Sequence, residues 1–279
     1  MRMRLRLSPS TNSHESPPPM TVEEKELALP LFEYIVAKLI GADQIPPKTV
    51  EELNNELKQY SMTRYMKTLY FLCLTSCTIL QEEDAQKQKE ETKTSPPESL
   101  YARSLFRSFE FTTYPKGPVA HEVYSYLRGR KDMIPTDMLF RVDQVLSLND
   151  GRSLEEMRSK IENFEVNHNS EANLAQRSLE RLFGGEYTPL RNREETGLKG
   201  IKYKDIDTQM LIDVSHSFPA WIKATRSIED ELYAQQGVQA VSDFIRNKKI
   251  VGNISDILKV DKNLSMEIEA FQDFRRGAN

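Results

Sequence analysis

From Met62 to Leu80 the chain is nearly continuous in apolar residues, with Met66, Leu69, Tyr70, Phe71, Leu72, Leu74 and Ile79 spread around every face of one helical stretch. A helix that is apolar all round has no side to offer to water, so it must be buried. This stretch and the other apolar runs are interrupted by polar residues well short of the ~20 positions needed to span a bilayer, and no transmembrane helix is expected. Cys73 and Cys77 sit within it, four apart on one helix face, a spacing that stacks two thiols without supplying disulfide geometry. They read as buried free thiols. A zinc site would need further ligands, and His14, His121, His168 and His216 stand in no paired spacing.

The remaining elements follow from periodicity and punctuation. Leu27, Leu31, Phe32, Ile35, Val36 and Leu39 make the i, i+4, i+8 stripe of an amphipathic helix that Gly41 closes. After Pro46-Pro47, Thr49 and Glu52 have the spacing of a capping box and open a second helix. Residues 81–99 are polar and charged except for Ala85 and end in a double proline, which predicts an exposed helical end followed by a mobile loop. Phe and Tyr crowd 104–115, a short extended segment before a turn at Gly117-Pro118, from which a helix resumes over 119–128. Further helices are expected over 138–148, as a polar-faced pair within 151–183, and over 205–214, 220–235, 238–246 and 254–274.

Strands do not alternate with helices, so a doubly wound sheet is disfavoured. The expected fold class is mainly α: one helical domain over 20–279 with at most a short β element near 107–114, an extended charged loop and insertions at 81–99 and 149–204. Residues 1–19 carry Arg2, Arg4, Arg6 and Pro17 to Pro19 without the apolar core of a signal peptide, and read as a disordered extension before Met20, a candidate natural start. Secretion is not expected.

The 38 Lys and Arg against 42 Asp and Glu give a formal charge of -4, which argues against a surface built to neutralise nucleic-acid phosphates. Gly184-Gly185 and Gly197-x-x-Gly200 lack the patterns that cradle phosphate, no serine stands in GxSxG, and no carboxylate pair is singled out by spacing. No catalytic residue, cofactor or metal is assigned, and the chain is not read as an enzyme. His121 reads as an exposed or capping histidine. His216 stands five residues before Trp221, the single tryptophan, where a helix-end ring can tie a turn to the core.

These places also carry a resemblance. The segment FRSFEFTTYPKGPVAHEVYSYL, through Gly117, Pro118, Val119, Val123 and Tyr124, resembles the aromatic-x-x-Gly-Pro-Val-x-x-x-Val-Tyr signature of the Panacea domain, also called the SocA-like or phage-associated GepA domain. LIDVSHSFPAWIKA resembles its later Leu-x-x-x-Ser/Thr-His-x-x-x-x-Trp element through Leu211, Ser215, His216 and Trp221. SMTRYMKTLYFL is similar to its Lys-Leu-x-Lys-Leu-x-Tyr-Phe helix through Met66, Lys67, Leu69, Tyr70 and Phe71. The resemblance covers roughly residues 31–226 with insertions, and Pro115 stands where the family usually has an aromatic residue.

The resemblance implies a cytoplasmic, prophage-associated antitoxin that neutralises a toxin encoded beside it by direct protein contact. The alternative it implies is an adaptor that hands a bound toxin to an ATP-dependent protease; an enzyme of unknown reaction is a third reading. The motif residues are read as fold markers, with Gly117-Pro118 making the turn, Val119 and Tyr124 packing inward and Trp221 filling the core beside His216. Partner contact is expected from the loops over 81–116 and 184–204, through Tyr101, Phe106, Tyr114, Tyr187, Arg191, Arg193 and Tyr203, which combine aromatic rings with guanidinium groups.

Overall fold

The computed structural model describes residues 22–45, 48–58, 61–90, 98–128, 154–183, 206–247 and 252–277. The apolar stretch is α3 (Met62–Glu90), and every residue from Arg64 to Ile79 is buried. Its internal hydroxyls cause no deficit because they bond to their own helix. Thr75, Ser76 and Thr78 donate to the carbonyls of Phe71, Cys73 and Leu74. Cys73 and Cys77 are free and buried as expected, and burial pushes the Cys77 thiol up to about 12.

Around α3 stand α1 (Val22–Ile40), α2 (Val50–Lys58), the short α4 (Leu100–Arg103), a 3-10 turn over Leu105–Ser108, and a hairpin of β1 (Phe111–Tyr114) and β2 (Gly117–Ala120). They are followed by α5 (His121–Arg128), α6 (Leu154–Asn167), α7 (Asn169–Phe183), α8 (Thr208–Ser217), α9 (Pro219–Asn247), α10 (Ile254–Leu258) and α11 (Asp261–Gly277). α3 packs on α7, β2, α8 and α11, while α1 packs on α7, α6 and α5. The fold is mainly α, with a two-stranded antiparallel sheet among the described residues. No helix among them is long and apolar enough to cross a membrane.

Local signals set several boundaries. The end of α1 is a Schellman turn: Gly41 at φ 74° donates to Lys38, and Ala42 donates to Ala37. Thr49 and Glu52 form the capping box reciprocally, Thr49 N–H to Glu52 at 2.7 Å and Glu52 N–H to Thr49 Oγ1 at 3.2 Å. α6 and α7 are the expected pair within 151–183, and α9 is broken at Gly237, where the separate helices 220–235 and 238–246 were expected to meet. The expected helix over 254–274 is instead two, α10 and α11, parted at Lys259-Val260.

Residues 81–90 are the expected helical end, the last turns of α3, and their charges are engaged: Glu82 with Arg181, Glu83 with Arg177, and Asp84 with Arg103. α6 and α7, within the expected insertion at 149–204, bury Met157, Ile161, Phe164, Leu174, Leu179 and Leu182 against the body. The turn of the hairpin lies at Pro115-Lys116 rather than Gly117-Pro118, and Val119 sits in β2 rather than in a helix. Proline at the second position of a four-residue turn and glycine at the fourth suit it, since proline supplies the fixed φ and glycine the release. The expected helix over 138–148 and the extension over 1–19 lie outside the described residues.

Candidate functional site

The motif residues come from five elements and meet around the hairpin. Lys67 of α3 is fully buried and its Nζ donates to the Pro118 carbonyl of β2 at 2.8 Å. No carboxylate stands within ion-pair distance of it among the described residues, and burial holds the amine well below the ordinary lysine range. Gly117 follows the turn at φ 96°, and a methyl group there would come within 2.7 Å of Lys67 Nζ and 2.8 Å of Ser215 Cβ. Only glycine satisfies both the backbone angle and the space. Ser215 of α8 is buried and donates to the Leu211 carbonyl, one turn back on its own helix.

Over this sealed base lies a partly exposed aromatic face. His216 stacks on Trp221 with ring centroids 4.3 Å apart and planes 29° from parallel. The Trp221 indole N–H reaches the Tyr114 carbonyl at 3.5 Å, and the Tyr114 ring packs on Tyr124 of α5 at 4.9 Å. Trp221, His216, Tyr114 and Tyr124 all keep part of their surface in water. Trp221 therefore does not fill the core as expected: it forms the rim of the site, because its helix starts at the surface of the hairpin. Tyr124 likewise packs only half inward, whereas Val119 is buried as expected.

The charge balance of this face is set by its base. His216 is held below the ordinary histidine value, first by burial and then by the nearby Lys67, with the Pro115 carbonyl opposing both. Its Nε2 is buried and meets no hydrogen-bond partner among the described residues. The ring's stack on Trp221 joins the end of α8 to the start of α9.

Tyr70 and Phe71, one turn beyond Lys67, anchor an aromatic core with Phe106, Phe111, Phe218 and Phe271. Among the residues expected to contact a partner, Tyr101 and Phe106 are buried in this core, stacked at 5.9 Å, and so are corrected to packing residues. Tyr101 on α4 and Phe106 in the 3-10 turn that follows it face the apolar centre rather than solvent. Tyr114 remains at the surface of the site, while Tyr187, Arg191, Arg193 and Tyr203 lie outside the described residues. His121 is exposed, as expected.

Two participants were missed in the sequence. Ser255 of α10 accepts from the Phe111 N–H at 2.8 Å and pins β1 from outside the hairpin. Glu267 of α11 is fully buried and accepts from the Tyr70 hydroxyl at 2.5 Å and from the Ala220 N–H at 2.8 Å. A signal for Glu267 existed: it falls on the same helical stripe as Leu264, Ile268 and Phe271, where an acid is out of place.

A second concavity, of about 260 Å³, opens between α1 and α6 beside the stacked pair Tyr34 and Phe164. It is flanked by Lys38, which is paired with Asp43 at 2.6 Å and Glu165 at 2.8 Å. The Glu165 pair joins α1 to α6, and the Asp43 pair ties α1 to the turn that follows it. Among the described residues no group of three His, Cys, Asp or Glu side chains is placed to hold a metal ion. Compared with known proteins, the chain matches no family model, no curated protein and no solved structure.

Proposed function

We propose that this chain is an antitoxin of the Panacea type that neutralises a cognate toxin, encoded by an adjacent gene, through direct protein contact. The observation that supports the reading is convergence. Lys67 and Pro118 are 51 positions apart, and Tyr114 and Trp221 are 107 apart, yet the three separated motif segments build one site with a sealed polar base and an aromatic face. Tryptophan and tyrosine on a rigid, part-desolvated face are the residue types that anchor protein interfaces, because they supply large contact area at little conformational cost. The proposed contact therefore centres on Tyr114, Tyr124, His216 and Trp221.

Co-expression with the neighbouring gene product tests this, scored by growth rescue and by co-purification. Wild-type chain should rescue growth and form a stoichiometric complex. Tyr124→Ala and Trp221→Ala should weaken both while the chain stays folded. If no adjacent gene product is bound or neutralised, the reading falls. Rescue that requires an ATP-dependent protease, with the toxin disappearing, would replace direct neutralisation by the adaptor role.

A further inference from the structure

The centre of the molecule holds a carboxyl group that the motifs do not include. Glu267 connects three elements, taking the Tyr70 hydroxyl of α3 on Oε1 and the Ala220 N–H of α9 on Oε2 from its place on α11. Both partners are donors, which suits a carboxylate with its four lone pairs. The Ala220 N–H also belongs to the first turn of α9, whose unpaired amides and positive dipole end attract negative charge. Burial acts the other way, since removal from water favours the neutral acid. Burial prevails by a modest margin and brings the Glu267 carboxyl up to about 7.

Trp221 directly follows Ala220 in the chain. Whatever holds the first turn of α9 therefore holds the indole against His216 and the Tyr114 carbonyl. A protonated carboxyl has an O–H of its own to place, so one of its oxygens stops serving as acceptor. Tyr70 must then turn its hydroxyl to receive that proton, or the Ala220 N–H loses its partner.

We propose that Glu267 is a proton-responsive positioning residue, whose carboxylate clamps the first turn of α9 and sets the His216–Trp221 face, and whose protonation loosens that clamp. The proposal goes beyond the binding reading and concerns the face itself, whatever partner it meets. The groups around it are accounted for element by element. α3 presents Tyr70, Cys73 and Cys77, all kept protonated by burial, and, one turn away, Lys67. α4 presents Tyr101, whose phenol is raised by burial, and Arg103, which is bound to Asp84. α9 presents Lys223, on Asn263 at the surface, and α10 presents Asp256, paired with Lys259 at its C-terminal cap. Arg275 lies at the far end of α11 beside Arg181 of α7. His216, stacked on the indole, and Lys67, whose charge acts on His216, could mimic the effect, so each is removed in the test.

Trp221 is the one tryptophan in the chain, so its fluorescence reports this site alone. In the wild-type chain the emission should change with pH around a midpoint near 7. Glu267→Gln should abolish that transition, while His216→Gln and Lys67→Met should keep its midpoint. Tyr70→Phe takes a donor from the carboxylate and should move the midpoint up by about one pH unit. Infrared difference spectra of the unaltered chain, which need no variant to fold, should show a protonated-carboxyl band lost with the same midpoint. The proposal is overturned if Glu267→Gln keeps the transition, if His216→Gln or Lys67→Met removes it, or if the carboxyl band is gone by the ordinary glutamate range near ~4.3.

Discussion

Lys67 and Glu267 are both sealed inside the molecule, yet their surroundings treat charge in opposite ways. Among the described residues Lys67 meets one carbonyl, and a single acceptor does not replace the water around an ammonium ion, so the amine is driven toward its neutral form. Glu267 meets two donors at the start of a helix, which restores much of what the carboxylate loses on leaving water, so its proton is held only up to about neutrality. Equal burial with unequal hydrogen-bond supply gives one group that packs as a polar strut and another poised to titrate. The hairpin end of the molecule is thus rigid by steric closure, and the α11 end is held by a pair of hydrogen bonds that respond to protons.

The largest expected effect tests the second region. Glu267→Ala leaves a cavity and strands both the Tyr70 hydroxyl and the Ala220 N–H, so it should cost about 3–5 kcal/mol. Urea unfolding checks this, and a loss under about 1 kcal/mol would mean that the carboxyl does not hold the three helices together. Gly117→Ala tests steric closure. The positive φ and the approach to Lys67 Nζ and Ser215 Cβ should together cost about 2–4 kcal/mol. A thermally unchanged variant would show that the hairpin can shift away from Lys67.

Trp221→Ala should cost about 1–2 kcal/mol, less than the ~3–5 kcal/mol of a fully buried aromatic residue, because the indole is only part-buried. Thermal denaturation separates the two values, and a large loss would return Trp221 to the core.

The smallest effects are pH slopes, and they carry the sharpest contrast. The folded state binds less proton at Lys67 than the unfolded chain does, so this residue makes stability rise with pH toward the ordinary lysine value near ~10.4. The folded state binds more proton at Glu267, so this residue makes stability fall as pH rises from about 4.3 through its raised value near 7. His216, lowered like Lys67, contributes stability that is lost as pH falls through its ordinary value and below. Lys67→Met should remove the alkaline rise and Glu267→Gln the opposing fall, measured as wild-type minus variant unfolding free energy across pH. If both variants change the same slope, the two regions are not independent.

Much of the helical pattern was open to reading in the chain itself. The all-round apolar content of 62–80, the stripe of α1, the Thr49 and Glu52 box and the Gly41 stop act through neighbours a few residues apart, and each appears in the structure as expected. The hairpin was placed only roughly, because proline and glycine mark a turn without saying which residues of Pro115 to Pro118 form its bend. Tyr101 and Phe106 were misplaced at the surface because an aromatic-rich segment reads alike whether its rings face a partner or the protein's own centre.

By itself the sequence determined that α3 must be buried, that helices must cover it, and that its two cysteines are free thiols. These follow from side-chain chemistry repeated at helical spacing. Only the tertiary structure decided that Lys67 reaches the Pro118 carbonyl, that Trp221 sits at a rim rather than in the core, and that Glu267 closes the centre from the last helix. Those contacts join positions from 51 to 197 residues apart, and their energies depend on which donor or acceptor stands within about 3 Å once the chain has folded. Periodicity says which face of a helix turns inward; it does not say which buried polar atom another helix will bring to meet it.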